Sequence, residues 1–348
     1  MIIKEFEIFP FKINLKEPFI NSNVKIINRE GFLIKVTDEL GNTSYGEVSP
    51  LPGSSIESVE SIRSKLLEFK NEFVEIELDS KLFNSILNFP SMSFGVSQAL
   101  HSIFIMRNGY DPELKFNQEI IINGVVGMVP QLQVLHQVEG LIAKGFKTIK
   151  IKIGRDSINE DINLIRIISA SFDKNIRYRF DANGCWSIDE VKYFIKELDG
   201  VNVEYLEQPV KTLEEIIELS NFSIIPIAAD ESIREDEDVR TLLKESSIEY
   251  FVLKPSIMGT ITDTIALIKI IENTKRKVII SSAFETPIGR SALVFLAAQL
   301  SNKLAHGLGV ANIFIKDIVE DLYPIINAKI RFDERTFPPK YNIFDSGN

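Results

Sequence analysis

Apolar and polar positions follow two different patterns along the chain. Residues 1 to about 48 carry short alternating runs, EFEIFPFKI and then GFLIKVTDELGNTSYGEV, that read as strands with Glu39 to Asn42 as a hairpin turn. From about 56 to 107 the spacing becomes helical, and Ser54 with Glu57 has the separation of a capping box ahead of the first helix. Strands followed by helices predict an α+β unit.

From about residue 119 apolar runs alternate strictly with amphipathic stretches. The runs are EIIINGVV, KTIKIKI, IRYRFD, VNVEYLE, IIPIAAD, IEYFVLK, KVIISSAF and, less clearly, KLAHGLGV. Between them IDEVKYFIKEL places Val191, Phe194, Ile195 and Leu198 on one helical stripe. Ser187 with Glu190, and Thr212 with Glu215, have capping-box spacing just after two of the runs. Seven or eight such units predict an α/β fold with a parallel barrel, although a doubly wound open sheet shares the grammar. The expected division is an α+β cap over residues 1–115 and a catalytic barrel over 116–324. The tail 325–348, with Pro338 and Pro339, has no barrel rhythm and is expected to return to the cap.

Composition narrows the function classes. A chain of 348 residues holds one barrel of roughly 250 residues and a second, smaller unit. The net charge of −10 disfavours nucleic acid or an anionic membrane surface as partner. No run of about 18 apolar residues occurs, and the first residues lack the apolar core of a signal peptide, so a cytoplasmic location is expected. The lone Cys185 allows no internal disulfide and no multi-cysteine metal site.

Chemistry concentrates at the ends of the runs. Lys152, Asp181, Glu207, Asp230 and Lys254 recur about one βα unit apart, which in a barrel gathers them at the C-terminal mouth. Lys150 and Lys152 lie two apart on one strand and share a face; burial beside another cation is expected to lower one lysine toward use as a base. Arg179 and Asp181 repeat that spacing, with Asn183 as a positioning group, and Glu231 adjoins Asp230. Three carboxylates without histidine or cysteine favour Mg2+ over Zn2+. Taken singly, each of these residues is explained by a helix cap, a solvated charge or a snorkelling lysine; three carboxylates in consecutive units between two lysines are not. Of the three histidines, His101 and His136 fall in helical segments and read as structural, and His306 near the eighth run is left open for substrate contact. Cys185 reads as packing.

These residues resemble the enolase superfamily, in its muconate-lactonizing-enzyme-like subgroup, over nearly the whole chain. The motifs are KIK at 150–152, DAN at 181–183, LEQP around Glu207, ADES at Asp230 and LKPS at Lys254. The resemblance implies a modified TIM barrel, (β/α)7β, with an N-terminal α+β cap. It implies Mg2+, with Mn2+ as a substitute, on Asp181, Glu207 and Asp230, and Lys152 and Lys254 as catalytic groups flanking a small-molecule carboxylate. Segments 46–60, 90–100 and 281–293 are similar to the o-succinylbenzoate synthases within that subgroup, with Pro50, Leu51, Pro52 and Gly53 as a cap loop over the mouth. Residues 18–22 are expected beside that loop.

The reaction so implied is loss of water from 2-succinyl-6-hydroxy-2,4-cyclohexadiene-1-carboxylate, in menaquinone synthesis, through a metal-stabilised enediolate. Lys150, Arg179, Asn183, Glu231, Ser281, Ser282, Pro50, Leu51 and Gly53 are expected to touch substrate or to support the residues that do. Thr286, Pro287 and Gln208 depart from the synthase pattern. Dipeptide epimerases and N-acylamino acid racemases carry the same lysines and carboxylates, although the acidic DxD usual in the epimerases is missing from NIFIKDI. A non-catalytic binding barrel is the alternative from another class. A homo-oligomer is left open.

Overall fold

The computed structural model describes residues 1–20, 25–75, 85–198 and 200–341. Strands β1 (Ile3–Ile20), β2 (Lys25–Asp38) and β3 (Thr43–Val48) form an antiparallel sheet in the order β1-β2-β3, with Ile8 opposite Ile34 and Ile34 opposite Gly46. Helices α1 (Val59–Phe73) and α2 (Pro90–Asn108) cover it, and Phe6 packs edge-on against both Phe69 and Phe73. The crossing of α2 over β3 requires glycine on both sides: a Cβ on Gly46 would lie 1.9 Å from the Gly95 carbonyl oxygen.

The capping box expected at Ser54 and Glu57 is instead formed by Ser58 and Ser61 at the start of α1. Glu57 serves a different helix end, accepting from the Ser91 amide (2.6 Å) in the first turn of α2. Here an acceptor reached by the fold displaced one favoured by local spacing. The boxes at Ser187/Glu190 and Thr212/Glu215 form as expected.

After β4 (Gln118–Ile121), the barrel comprises β5 (Gly124–Val126), β6 (Thr148–Lys152), β7 (Arg177–Asp181), β8 (Val203–Glu207), β9 (Ile227–Ala229), β10 (Tyr250–Leu253) and β11 (Lys277–Ile280). These seven are parallel neighbours in unbroken chain order, unlike the reordered strands of a doubly wound sheet. Helices α3 (Gln131–Ala143), α4 (Ile158–Ser171), α5 (Ile188–Glu197), α6 (Leu213–Ser220), α7 (Asp236–Glu245), α8 (Ile261–Asn273) and α9 (Pro287–Gln299) alternate with them. Val191, Phe194, Ile195 and Leu198 are all buried, as their stripe predicts.

The eighth run forms no regular strand. Two residues close the ring: His306 O accepts from the Asn123 amide (3.0 Å) just ahead of β5, and the Gly307 amide donates to Ile280 O (2.9 Å) at the end of β11. His306 is buried away from the mouth, where its Nδ1 accepts from the Ile280 amide (3.1 Å); burial and the Arg179 charge push it down to about 3, so it stays neutral. The tail is shared between the two units. β12 (Lys329–Phe332) pairs with β4 and Phe337 stacks on Phe295 of α9, while Tyr341 packs with Leu33 and Tyr45 of the cap sheet. Residues 342–348 lie outside the described residues.

Cap and barrel meet through buried polar groups. The Arg29 guanidinium donates to Ser49 O (2.8 Å), Pro50 O (2.7 Å) and Phe284 O (3.2 Å). Glu47 accepts from the Thr286 amide (3.0 Å), the Thr286 hydroxyl (2.5 Å) and the Gly289 amide (3.0 Å), so a cap carboxylate closes the N-terminus of the barrel helix α9. Burial pushes Glu47 up to about 7 even though Thr286 and Ser49 hydrogen-bond to its charged form. Unfolded chain ionises this group near 4.5, so between 4.5 and about 7 the folded state holds the extra proton and stability falls as pH rises. Glu47→Gln is expected to remove that part of the slope, on the order of 3 kcal/mol. Urea unfolding at pH 5 and pH 8 checks it: identical slopes in the two proteins would contradict the assignment.

Candidate active site

Strand register brings the polar residues to one level. Lys152 is opposite Asp181, Asp181 opposite Glu207, and Glu207 opposite Ala228, two residues before Asp230. Parallel strands with matched ends project these side chains at the C-terminal rim. One carboxylate oxygen from each of Asp181, Glu207 and Asp230 lies within 4.8 Å of the others, and all three residues are buried. Gln208 fixes this arrangement from beneath, its Oε1 accepting from the Asp230 amide (3.0 Å) and from the Ser232 amide and hydroxyl. The departure at Gln208 therefore supports a carboxylate-bearing loop.

Lysines flank the cluster. Lys150 Nζ lies 2.5 Å from Glu207 Oε1 and 2.7 Å from Asp181 Oδ2. Lys152 Nζ donates to Asp181 Oδ2 (2.6 Å) and Asn183 Oδ1 (2.9 Å), while Lys254 Nζ approaches from the other side onto Asp230 Oδ2 (2.6 Å). Asn183 Nδ2 donates to Glu231 Oε1 (2.7 Å), which links the two lysine environments.

Charge balance corrects one expectation. Burial alone would depress Lys150, but the Asp181, Glu207 and Asp230 carboxylates outweigh it and hold Lys150 well above the ordinary lysine range. Lys254 is likewise raised, burial being overcome by Asp230 and Glu231. The carboxylates in contact with Lys150 thus favour its charged form, against the lowering the sequence suggested. Burial works to raise Asp181, yet the Lys150 and Lys152 ammonium groups hold it well below the usual carboxylate range. Glu207 is pushed up by burial and by the Asp181 charge.

The donor set fits a hard divalent cation. It is made of oxygens alone, and Glu207 Oε2 is buried with no hydrogen-bond partner among the described residues. An orphaned carboxylate oxygen among three converging acids is costly unless a cation accompanies it.

A cavity of about 530 Å³ opens over these groups. Lys150, Lys152, Asn183, Glu231, Lys254, Ser281 and Ser282 line its polar floor, and Leu15, Phe19, Ile26, Leu51 and Phe284 form an apolar roof. Phe19 meets Phe284 at 4.7 Å between ring centroids and lies 5.9 Å from Lys152 Nζ. Pro18 to Ile20 and Leu51 therefore cover the mouth; positions 21 and 22 lie outside the described residues.

Three expected positions do not line this cavity, and the reading of Cys185 also changes. Arg179 sits two residues before Asp181 on the same face, buried in the barrel interior on Glu204 (2.6 Å) and Ala305 O (2.7 Å). Its length lets it pair below the rim, and it does not line the cavity. Pro50 contributes its carbonyl to Arg29, and Gly53 borders a neighbouring space of about 500 Å³ with Glu231 and Lys254. Cys185 is exposed beside Gly154, not packed. Sequence reasoning passed over Glu285 and Ser256, whose carboxylate and hydroxyl meet only because two loops converge.

Residues 133–335, more than half of the chain, match the family described as enolase C-terminal domain-like, and residues 3–103 match MenC, N-terminal domain. The L-Ala-D/L-Glu epimerase of Francisella tularensis subsp. novicida is 27% identical over 95% of this chain and 94% of its own. The o-succinylbenzoate synthase of Haemophilus influenzae is 26% identical over 95% and 98%. In fold the chain is similar to the substrate-liganded L-Ala-D/L-Glu epimerase of Bacillus subtilis, with a TM-score of 0.88 at 22% identity over 95% of this chain and 96% of that one. Among the described residues no helix is long and apolar enough to cross a membrane. With both halves matched and the acidic triad and flanking lysines at the rim of a seven-stranded barrel, the chain belongs to the enolase superfamily.

Proposed function

We propose that the protein is a magnesium-dependent o-succinylbenzoate synthase that dehydrates 2-succinyl-6-hydroxy-2,4-cyclohexadiene-1-carboxylate in menaquinone biosynthesis. The observation that carries this reading is one cavity holding a lysine on each side of a three-carboxylate cluster beneath an apolar roof, in a chain whose cap matches MenC, N-terminal domain. Residues 1–115 act as the cap and 116–324 as the catalytic barrel, in the cytoplasm, with no nucleic-acid or membrane partner.

Asp181, Glu207 and Asp230 hold the ion, Mg2+ or in its place Mn2+. When bound, it supplies positive charge where the substrate carboxylate gains negative charge during proton loss. Lys152 Nζ removes the proton α to that carboxylate, and Asn183, on which Lys152 already rests, fixes its direction. The same ammonium returns a proton to the departing hydroxyl, so one water leaves and the ring becomes aromatic. Lys254 stays protonated opposite and stabilises the transient negative charge. Phe19, Phe284 and Leu51 exclude water above the reacting carbon, which strengthens these charge interactions.

Dipeptide epimerisation is the second reading. It is favoured by the epimerase relatives and by the similar placement of Lys152 and Lys254, each 2.6 Å from one carboxylate of the triad. N-acylamino acid racemisation would use the same two groups. Turnover of the cyclohexadiene carboxylate with Mg2+, followed by its absorbance, is expected, with no deuterium exchange at the α-carbon of L-Ala-L-Glu in D2O. Exchange into the dipeptide without dehydration would reverse the order of the two readings.

A further inference from the structure

The polar groups at the end of β10 form a construction that the proton transfers themselves do not use. The β10–β11 ladder ends at Leu253 opposite Ile280, its last bond running from the Ser281 amide to Leu253 O (2.8 Å). Lys254 lies immediately beyond it, leaving the strand at φ −111° and ψ 80° to enter a short 3-10 turn over Pro255–Ile257. Among the described residues the β10–β11 register does not extend to Lys254.

A buried carboxylate supplies that link. One oxygen of Glu285 accepts from the Ser256 hydroxyl and from the Ala283 amide (2.9 Å), and the other accepts from the Ser282 hydroxyl. Ser256 is two residues beyond Lys254, and the Ile257 amide closes the turn on Lys254 O (3.0 Å). Ser282 lines the cavity and in turn accepts from the Phe284 amide (3.0 Å). Glu285 is only 2% exposed and does not line the cavity. An ionised carboxylate is an acceptor on both oxygens, which suits three donors from two loops. Arg29, anchored on Phe284 O, lies beside it and offsets the nearby Glu47.

We propose that Glu285 is a positioning residue: by bridging Ser256 and Ser282 it holds the backbone of Lys254 in register with the Ser281–Ser282 edge of the cavity. The inference rests on Lys254 having the role given above. A displacement of about 1 Å in such a group can cost on the order of 100-fold in rate.

Ser256→Ala cuts the link to Lys254 without touching the cavity. It and Glu285→Ala are expected to lower kcat roughly 10- to 100-fold while KM changes less than about threefold. Glu285→Gln, which keeps one carbonyl oxygen, should recover part of that loss. A second measurement is independent of the substrate: the rate at which Lys254 is acylated by an amine-reactive reagent, read by peptide mass spectrometry with Lys152 as internal reference. Both alanine variants should change the Lys254 rate and leave the Lys152 rate as it was. Wild-type kcat together with unchanged labelling, or equal changes at both lysines, would overturn the proposal. Should Glu285→Ala fail to fold, Ser256→Ala decides; should the wild-type protein fail to dehydrate the cyclohexadiene, the function reading falls and the labelling ratio alone judges Glu285.

Discussion

Lys152→Arg is expected to lower turnover by roughly 10²- to 10⁴-fold, the range supplied by a positioned general acid–base. Guanidinium stays protonated at neutral pH and cannot take the α-proton, so charge is kept while proton transfer is lost. Lys254→Arg should retain more activity than Lys254→Ala, since a cation remains beside Asp230 where Lys254 Nζ now sits at 2.6 Å. The contrast between the two arginine variants carries the mechanistic content. A one-face elimination needs a single proton carrier and predicts an asymmetric response; an epimerase draws protons from both faces, and both variants would fail alike. Exchange of the substrate α-proton with deuterium is the direct measure. Persistent exchange in Lys152→Arg would remove that residue as the base.

Glu207→Gln should weaken Mg2+ binding by about 100-fold or more, beyond the 10- to 100-fold typical of losing an outer hydrogen-bond partner of a metal ligand. Glu207 is the informative member of the triad because one of its oxygens lies buried with no hydrogen-bond partner among the described residues while the other holds Lys150. An amide there loses a negative charge, and Lys150 then opposes the incoming cation with less compensation. Titration calorimetry with Mg2+ reads the change without any substrate. In the wild-type protein excess chelator should abolish turnover and added Mg2+ restore it; full activity in chelator would refute a catalytic ion on these residues.

What could be read from the chain was whatever repeats with a period. Lys152, Asp181, Glu207 and Asp230 follow apolar runs of buried strands, so a barrel fold alone places them at one level. Arg179 shows the limit of that logic: it shares a face with Asp181, but facing inward does not say at which depth a long side chain finds its partner, and Glu204 lies below the rim. The Ser54/Glu57 spacing failed for the same reason, since the Ser91 amide that Glu57 meets is 34 positions away. The eighth strand was faint because two residues close the ring, too few to impose an apolar period. Glu285 lies in the segment 281–293 noted for its resemblance, but no role could be read for it: its meaning depends on Ser256 and Ser282 arriving from separate loops.

The anchoring of cap to barrel bears on how molecules pass in and out. Arg29, Glu47 and Gln98 tie the two units by bonds to backbone groups, Arg29 to Phe284 O at 3.2 Å and Gln98 Nε2 to Ile288 O at 2.6 Å among them. Swinging the cap away as a body would strand several buried donors and acceptors at about 1–3 kcal/mol each. β1 is pinned as well, the Lys16 amide bonding to Ile313 O and the Ile315 amide to Asn14 O. Beyond Lys16, among the described residues, β1 continues to pair with β2 at Phe19 and Ile20 and meets the barrel through the Phe19–Phe284 contact and a bond from the Met128 amide to Ile20 O (3.2 Å). If the cap stays fixed in this way, entry to the cavity is expected beside the Phe19–Phe284 contact and not through a swing of the whole domain, and Phe19→Ala should then change turnover without loosening the cap.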